Sequence, residues 1–336
     1  MPISPSGRAA GRLSETLAIT LGDPTGIGPE VALKALGRLP AKDRSSCFLI
    51  GPAAFYRTLA GRLGLKLDLN CVFDRPFPKK IKYGRSDNEW TRLAAHSIKL
   101  AASMAMRGEV DAIVTPPIHK AGMKKAGLNI PGHTEYLAEL SGAKHFEMML
   151  VGGKLRVVLV TRHESIKNVP RLLTKNRVEE TILTADRELR RSFGIRRPRL
   201  VVCGLNPHAG EEGTIGREET QIIRPAVLAA KKKTDAVIAG PLSPDALFHD
   251  AYHGAYDAEI CMYHDQGLIP LKMISRGSGV NVTLGLPFVR TSPDHGTGYD
   301  IAGKFRADPG SMLEAIRLAA LLSRNRKKYA QSHPGS

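Results

Sequence analysis

Short apolar runs alternate with longer segments of helical periodicity along almost the whole chain. Runs of four or five mostly apolar residues, a length typical of buried strands, occupy positions 17–21, 47–50, 112–115, 148–151, 156–160, 200–203, 236–239, 258–262 and 280–284. The longest segments of helical periodicity are 87–106, 175–193 and 311–325. This alternation predicts an α/β fold with mostly parallel sheets and helices on both faces.

So many strands would make one very wide sheet, so the pattern favours two lobes with a cleft between them. No repeat or low-complexity linker marks a border, which indicates that the chain crosses between the lobes more than once.

The composition is that of a globular protein that buries a core. Of 336 residues, 42% are hydrophobic, and no apolar run is long enough for a membrane span. The first 15 residues lack the apolar stretch of a secretory signal, so we expect a disordered extension there. The four cysteines form no C-x-x-C pair, which favours reduced thiols and a cytoplasmic location.

The formal net charge of +17 raises the possibility of a nucleic-acid-binding protein. The basic residues do not gather into a stripe with interleaved aromatic residues, and no nucleic-acid-binding motif is present. A basic surface that attracts an anionic small-molecule substrate is the favoured interpretation, with no nucleic-acid or membrane partner.

Three histidines each lie just past a strand-like run. His163 follows the run at 156–160, His208 follows the one at 200–203, and His264 follows the one at 258–262. Ligands of parallel α/β sheets collect at the carboxyl ends of the strands, so these imidazoles predict a metal site. The alternative is that each is an ordinary loop histidine.

Two glycine-rich loops are candidates for binding a nucleotide. In the first, Gly26 and Gly28 precede a helix whose start could face an anion. The second contains four residues that we predict to bind a cofactor: Asp294, His295, Gly296 and Asp300. The alternatives are a simple strand-to-helix turn for the first loop and helix capping by Asp294 or Asp300 for the second.

The two loops resemble those of the β-decarboxylating dehydrogenases of the isocitrate and isopropylmalate type. The shared residues are Gly-Asp-x-x-Gly-Ile-Gly-Pro-Glu at 22–30 and His-Gly-x-x-x-Asp-Ile-Ala-Gly-Lys at 295–304. The resemblance implies two αβα lobes around a central cleft, one lobe built from both chain ends, and a second loop that holds the adenosine side of NAD. The resulting division is a tail at 1–15, lobe one at 16–135 and 285–325, lobe two at 136–284 and a basic tail at 326–336.

Further motifs resemble the family of 4-hydroxythreonine-4-phosphate dehydrogenases of pyridoxal phosphate biosynthesis. They are Thr-Pro-Pro-Ile-His-Lys at 115–120, Pro-Gly-His-Thr-Glu at 131–135, Gly-Leu-Asn-Pro-His-Ala-Gly at 204–210, Gly-Pro-Leu-Ser-Pro-Asp at 240–245, Met-Tyr-His-Asp-Gln-Gly at 262–267 and Gly-Val-Asn-Val-Thr-Leu-Gly-Leu-Pro at 279–287. The resemblance spans residues 17 to about 322 in order.

The resemblance implies particular roles for individual residues. It implies a divalent metal on His163, His208 and His264, in a homodimer whose metal site is completed by a ligand of the partner subunit. The implied substrate contacts are His133, Thr134, Lys272, Asn281 and Arg290.

The chain departs from the family pattern around His163. The family commonly has Thr-Thr-His followed by Ile or Leu, Pro and Leu, whereas this chain has Arg162 before the histidine and Glu164 after it. These two residues either form a solvated pair or reshape the edge of the substrate site.

The residue types suit a metal-dependent alcohol oxidation by NAD or NADP. A divalent ion polarises the substrate hydroxyl, and imidazole ligands suit Zn, Co, Mn or Ni, with Mg as a further candidate. Lys272 and Arg290 are cations of the kind that bind phosphate or carboxylate, and we expect Lys272 to be buried. His133 and Lys272 are the candidates for proton transfer, Thr134 is a possible helix cap, and Asp245 or Asp265 could orient a metal-bound histidine.

The leading hypothesis is oxidation of 4-phosphooxy-L-threonine with decarboxylation to 3-amino-2-oxopropyl phosphate. Two alternatives keep the mechanism and change the substrate, to D-threonate or D-erythronate 4-phosphate or to a dihydrodiol dicarboxylate of aromatic catabolism. Alternatives of other classes are a basic nucleic-acid-binding protein and a phosphate acyltransferase of related fold.

Overall fold

The structure, a computed structural model, describes residues 13–73, 77–78, 80–130 and 132–334. The described chain divides into two compact units. Of the described residues, the N-terminal unit comprises 13–144 together with 286–324, and the middle unit comprises 145–285 together with 325–334. The sequence-based division placed this border at 135/136 and 284/285 instead.

Eleven strands lie within the described residues. They are Leu17–Thr20 (β1), Cys47–Pro52 (β2), Asn70–Phe73 (β3), Ala112–Val114 (β4), Glu147–Gly152 (β5), Leu155–Leu159 (β6), Arg199–Cys203 (β7), Val237–Leu242 (β8), Ala258–Cys261 (β9), Val280–Leu284 (β10) and Val289–Pro293 (β11).

Twelve α-helices lie within the same residues. They are Gly28–Arg38 (α1), Ala41–Arg44 (α2), Ala53–Arg62 (α3), Asn88–Met106 (α4), Lys120–Lys125 (α5), His133–Ser141 (α6), Val169–Leu172 (α7), Lys175–Arg191 (α8), Arg224–Lys231 (α9), Pro244–Tyr252 (α10), His264–Ser275 (α11) and Gly310–Ser332 (α12). None of these helices is both long and apolar enough to span a membrane.

The N-terminal unit contains five parallel strands in the order β3-β2-β1-β4-β11. The central strand β1 is fully buried along its length. A strand with helices on both faces has no solvent side, which explains why its sequence is a continuous apolar run rather than an alternating one.

The middle unit contains six strands in the order β10-β5-β6-β9-β7-β8. β5 pairs antiparallel with both β10 and β6, whereas β6, β9, β7 and β8 are parallel. A core of buried side chains, among them Leu150, Val157 and Leu271, holds α11 against this sheet. The predicted fold class, α/β with mostly parallel strands, is confirmed.

Every strand predicted from an apolar run is present within three residues at each end, but β3 and β11 were missed. β11 contains Arg290, Thr291 and Ser292, and these polar residues interrupt the apolar pattern by which the other strands were predicted. The strand is nevertheless buried along its whole length. Tertiary contacts decide such strands, because buried polar groups need hydrogen-bond partners that come from elsewhere in the chain.

The predicted tails are shorter than expected. Residues 1–12 lie outside the described part of the chain, but Leu13 is buried, and Glu15 is buried and paired with Arg324. At the other end α12 continues to Ser332 instead of ending at 325. Within the expected basic tail, Arg326 is only 11% exposed and donates to Glu188 of α8 at 2.8 Å.

We predict that Arg326→Ala lowers the free energy of unfolding by about 3–5 kcal/mol, because it leaves the Glu188 carboxylate buried without its cation. Urea denaturation measures this loss. Arg317 on the same helix forms an exposed pair with Glu314, so Arg317→Ala is the matched control and should cost about 0–1 kcal/mol. Equal small losses in both variants would show that the buried pair contributes nothing.

Candidate active site

Three neighbouring parallel strands, β6, β9 and β7, carry the three candidate metal ligands past their carboxyl ends. Hydrogen bonds between these ends fix them side by side. The Thr161 hydroxyl donates to the carbonyl of Met262 at 2.7 Å. The Gln266 amide accepts from the Met262 N–H and donates to the carbonyl of Gly204, both at 2.7 Å. The loops that follow the three strands therefore start from strand ends that are hydrogen-bonded to one another.

His163 and His264 lie next to each other at this edge. Their ring centroids are 5.6 Å apart and their planes are inclined by 41°. Nδ1 of His264 lies 2.7 Å from the Asp265 carboxylate, which can only accept a hydrogen bond when ionised. Nδ1 therefore carries the proton, and Nε2 keeps a lone pair that can bind a metal, as expected when a carboxylate orients a ligand histidine.

His208 lies in a different backbone environment. It begins a run of five consecutive residues, 208–212, with φ between +43° and +78°, of which only Gly210 is a glycine. A left-handed conformation costs a residue with a side chain about 1–2 kcal/mol. Such strain persists only where the surroundings hold it, and it concentrates at functional sites.

One chain does not assemble all three histidines. The described residues contain no group of three His, Cys, Asp or Glu side chains placed to hold one metal ion. The exposed His208 instead lies near Asp245, whose pKa is lowered first by the Ser243 hydroxyl and to a smaller extent by His208. Both carboxylates expected to orient a histidine, Asp245 and Asp265, therefore lie beside one.

Of the predicted substrate contacts in the middle unit, Asn281 is half-buried on β10, opposite Leu150 of β5. The expectation that Lys272 is buried was wrong, since its side chain is exposed on α11. The helix turns Leu268 and Leu271 inward, and Lys272 shares the outer face with the exposed Ile269 and Met273.

The N-terminal unit holds the remaining predicted substrate contacts. Arg290 on β11 is 3% exposed, and its Nε and Nη2 donate to the Thr115 hydroxyl at 3.0 and 2.7 Å. Burial lowers the pKa of Arg290 to about 9, and Glu135 opposes this shift. The guanidinium therefore remains a cation at neutral pH. Its hydrogen bonds to the hydroxyl of Thr115, the residue that follows β4, fix its orientation for a ligand.

His133 and Thr134 lie in the first turn of α6. The helix begins at His133, with Gly132 before it, so Thr134 is a buried residue inside the turn and not the cap. Nε2 of His133 is buried and has no hydrogen-bond partner among the described residues. Burial, then Arg290 and Lys120, hold the pKa of His133 well below its usual value, so the imidazole is neutral and able to accept a proton.

The two glycine-rich loops meet within the N-terminal unit. The Ile27 N–H donates to the carbonyl of Thr297 at 2.9 Å. The Tyr299 hydroxyl donates to Asp23 at 2.5 Å, and the other oxygen of Asp23 accepts from the Thr25 hydroxyl at 2.6 Å. A Cβ at Gly26 would lie 2.5 Å from the Thr297 carbonyl oxygen, so this close approach requires glycine.

The predicted cofactor residues of the second loop have different surroundings. Asp294 accepts from the Ser311 hydroxyl at the start of α12, whereas the backbone N–H of Gly310 there donates to the Asp308 carboxylate. His295 lies with Nδ1 3.0 Å from the carbonyl of Gly296, while its Nε2 is buried without a partner among the described residues. Gly296 and Asp300 are exposed. The orphaned His295 Nε2 is an acceptor suited to an amino group such as that of adenine.

The departure around His163 has a structural explanation in part. The Arg162 guanidinium lies 4.9 Å from the centroid of the Phe146 ring, within the range of a cation–π contact. Glu164 is exposed.

Sequence reasoning missed the residues that position these groups, namely Thr25, Asp23, Tyr299 and Gln266. All four lie inside the motifs quoted above, so the signal was present without a stated role. The paired imidazoles fit a divalent metal, and the joined loops with the orphaned His295 Nε2 fit a nucleotide.

The chain matches the family model "Pyridoxal phosphate biosynthetic protein PdxA" over residues 59–319. A curated 4-hydroxythreonine-4-phosphate dehydrogenase of Geobacter metallireducens is 45% identical over 327 residues, which is 92% of this chain and 95% of that protein. The protein of the same name from Desulfosudis oleivorans is 43% identical, with 90% of this chain and 94% of that protein covered.

Solved structures are also similar to this chain over most of its length. A 4-hydroxythreonine-4-phosphate dehydrogenase from Klebsiella pneumoniae superimposes with a TM-score of 0.85 at 38% identity, covering 93% of this chain and 99% of that one. A terephthalate 1,2-cis-dihydrodiol dehydrogenase from Burkholderia xenovorans has a TM-score of 0.66 at 30% identity, covering 91% and 98%.

We predict that His133 makes the fold more sensitive to acid. Because its folded pKa lies below the unfolded value, the unfolded chain binds this proton first, and stability is lost as the pH falls below about 6.5. The melting temperature of His133→Asn should therefore fall less than that of the wild type between about pH 7 and pH 5. The exposed His249 is the control, and His249→Asn should follow the wild type. Parallel curves for all three proteins would contradict the prediction.

Proposed function

Because the chain belongs to the pyridoxal phosphate biosynthetic protein PdxA family, we propose that it is the 4-hydroxythreonine-4-phosphate dehydrogenase of that biosynthesis. The reaction oxidises 4-phosphooxy-L-threonine with NAD or NADP, and decarboxylation then gives 3-amino-2-oxopropyl phosphate. The observation that carries the proposal is near full-length identity of 45% and 43% with curated enzymes of this name.

The alternative substrates are less well supported. The dihydrodiol dehydrogenase is less similar in both sequence and structure than the enzymes named for 4-hydroxythreonine 4-phosphate. The similarity to a phosphotransacetylase of Staphylococcus aureus, at 15% identity, extends to the fold alone. Neither the comparisons nor the described residues favour D-threonate 4-phosphate or a nucleic acid.

Arg290 is the residue that we assign to the substrate phosphate. It is a buried cation whose orientation is fixed by Thr115, and a guanidinium can donate two parallel hydrogen bonds to a phosphate. Thr134 in the adjoining first turn of α6 supplies a hydroxyl, and we assign further substrate contacts to Lys272 and Asn281.

His133 is the group that we assign to proton transfer from the substrate hydroxyl. It is neutral and carries a buried, unpartnered Nε2, which is the state a general base requires. The exposed Lys272 is the second candidate and would act as the proton donor after carbon dioxide leaves.

The joined glycine-rich loops are the proposed site for NAD or NADP. We assign contacts to Gly26, Gly28, His295, Gly296 and Asp300, with Asp294 acting through the start of α12. When bound there, the nucleotide would supply the oxidant, because its nicotinamide ring can take up a hydride from the substrate carbon. The hydrogen bond between Tyr299 and Asp23 holds the two loops at a fixed spacing for it.

His163 and His264 would hold a divalent ion, with Zn, Co, Mn, Ni or Mg as candidates, and the ion would polarise the substrate hydroxyl. We propose that His208 of the partner subunit completes the site in a homodimer. Two observations support this arrangement: one chain groups only two of the three histidines, and Ile269 and Met273 are 60% and 75% exposed on α11.

The location that we propose is the cytoplasm. The four cysteines are free, and the sulfur atoms of Cys203 and Cys261 lie 3.7 Å apart without a bond, as expected in a reducing compartment.

The first test follows reduced nucleotide formation by the metal-loaded protein, with 4-phosphooxy-L-threonine and D-threonate 4-phosphate offered in parallel. We predict EDTA-sensitive turnover of the amino acid. Arg290→Lys should raise the KM for this substrate about tenfold to a hundredfold, because lysine keeps the charge but cannot donate two parallel hydrogen bonds to the phosphate.

Arg317→Lys, an exposed site on α12, is the control and should leave the KM unchanged. Turnover of D-threonate 4-phosphate alone would assign the chain to sugar-acid metabolism. An unchanged KM in Arg290→Lys would remove the phosphate role from this residue.

The second test asks whether the metal site is shared. We predict that His208→Ala and His264→Ala are each inactive, and that mixing exchanging subunits of the two restores about a quarter of wild-type activity. Half of the randomly formed dimers are mixed, and each has one intact site of two. Mixing His163→Ala with His264→Ala is the control and should restore nothing. Recovery in neither mixture would rule out a site divided in this way.

A further inference from the structure

The turn that carries His208 is held by one buried carboxylate. Glu219 is 1% exposed and begins a π-helical turn, Glu219–Ile223. Its Oε1 accepts from the N–H groups of Leu205 and Asn206, both at 2.7 Å. Its Oε2 accepts from the Asn206 side chain at 2.9 Å. Glu219 thus fixes the two residues that come just before Pro207 and His208.

The same carboxylate also fits closely against the turn itself. A Cβ at Gly210 would lie 2.6 Å from Oε2, and a Cβ at Gly204 would lie 3.2 Å from Oε1. The carboxylate therefore contacts the backbone on both sides of His208. It occupies space that a side chain at Gly204 or Gly210 would otherwise fill.

The backbone hydrogen bonds at the left-handed run join residues that are close in the sequence. They run from Ala209 to Asn206, from Thr214 to Glu211 and from Ile215 to Gly210, at 3.1 to 3.2 Å. Glu218 adds one acceptor for the Asn206 side chain at 2.8 Å. Glu219, in contrast, joins the start of the turn to the following π-helical turn through two backbone N–H groups 13 and 14 residues earlier in the chain.

We propose that Glu219 is the positioning residue for His208, and that it presents the imidazole for metal binding by holding residues 205–212 in the left-handed turn. This inference rests on the proposed role of His208 as a metal ligand and adds a residue that does not itself bind the metal. Groups that orient ligands commonly alter metal affinity about tenfold to a hundredfold when they are removed.

The test is calorimetric titration of the metal-free protein with Zn²⁺. Glu219→Ala should weaken zinc binding about tenfold to a hundredfold, and Glu219→Gln should have a smaller effect because its amide oxygen can still accept from Leu205 and Asn206. Glu188 is equally buried in the same unit and contacts other groups, so Glu188→Gln is the matched control and should leave zinc affinity unchanged.

A double variant shows whether Glu219 acts through His208. In the His208→Ala background, Glu219→Ala should cause no further loss, because the residue that it positions is already absent. Additive losses, or equal losses in Glu219→Ala and Glu188→Gln, would overturn the inference. If His208→Ala weakens zinc binding and Glu219→Ala does not, the positioning role of Glu219 is wrong while the metal role of His208 stands. If the wild type binds no zinc, cobalt or manganese, the metal role of His208 fails and the inference fails with it.

Discussion

Parallel pairing of β6, β9 and β7 is the constraint on which the chemistry of the middle unit depends. Three parallel neighbours deliver their following loops to one edge, where the ring centroids of His163 and His264 lie 5.6 Å apart. The side chains of Thr161 and Gln266 then tie the strand ends together. A slip of one residue in either pairing would turn the side chains of the displaced strand to the opposite face and shift the start of the loop that follows it.

The site residues are oriented by partners that the reaction itself does not use. Thr115 fixes Arg290, Asp265 fixes His264, and Asp23 fixes the loop that contains Tyr299. The contacts of Thr115 and Asp23 are partly or fully buried, where an unpaired group would be costly and a paired one is rigid, whereas the contact between His264 and Asp265 is exposed. In both units, side-chain hydrogen bonds therefore orient the site residues.

The sequence was sufficient for features that depend on local pattern. Apolar runs located nine strands, and the position of each histidine after a run indicated the edge where it lies. Features that depend on distant partners were not accessible in this way. The outward face of Lys272 follows from which side of α11 packs on the sheet, and the left-handed turn at His208 contains four residues that do not favour that conformation.

The N-terminal unit is built from two separate stretches of the chain, and this affects how it folds during synthesis. β4 pairs with β1 on one side and with β11 on the other, so one edge of β4 has no partner until residue 289 has left the ribosome. The segment 145–285 is continuous and contains all six strands of the middle unit. The nascent chain therefore carries an open strand edge throughout translation of the middle unit, and such edges are where chaperones bind and aggregation starts.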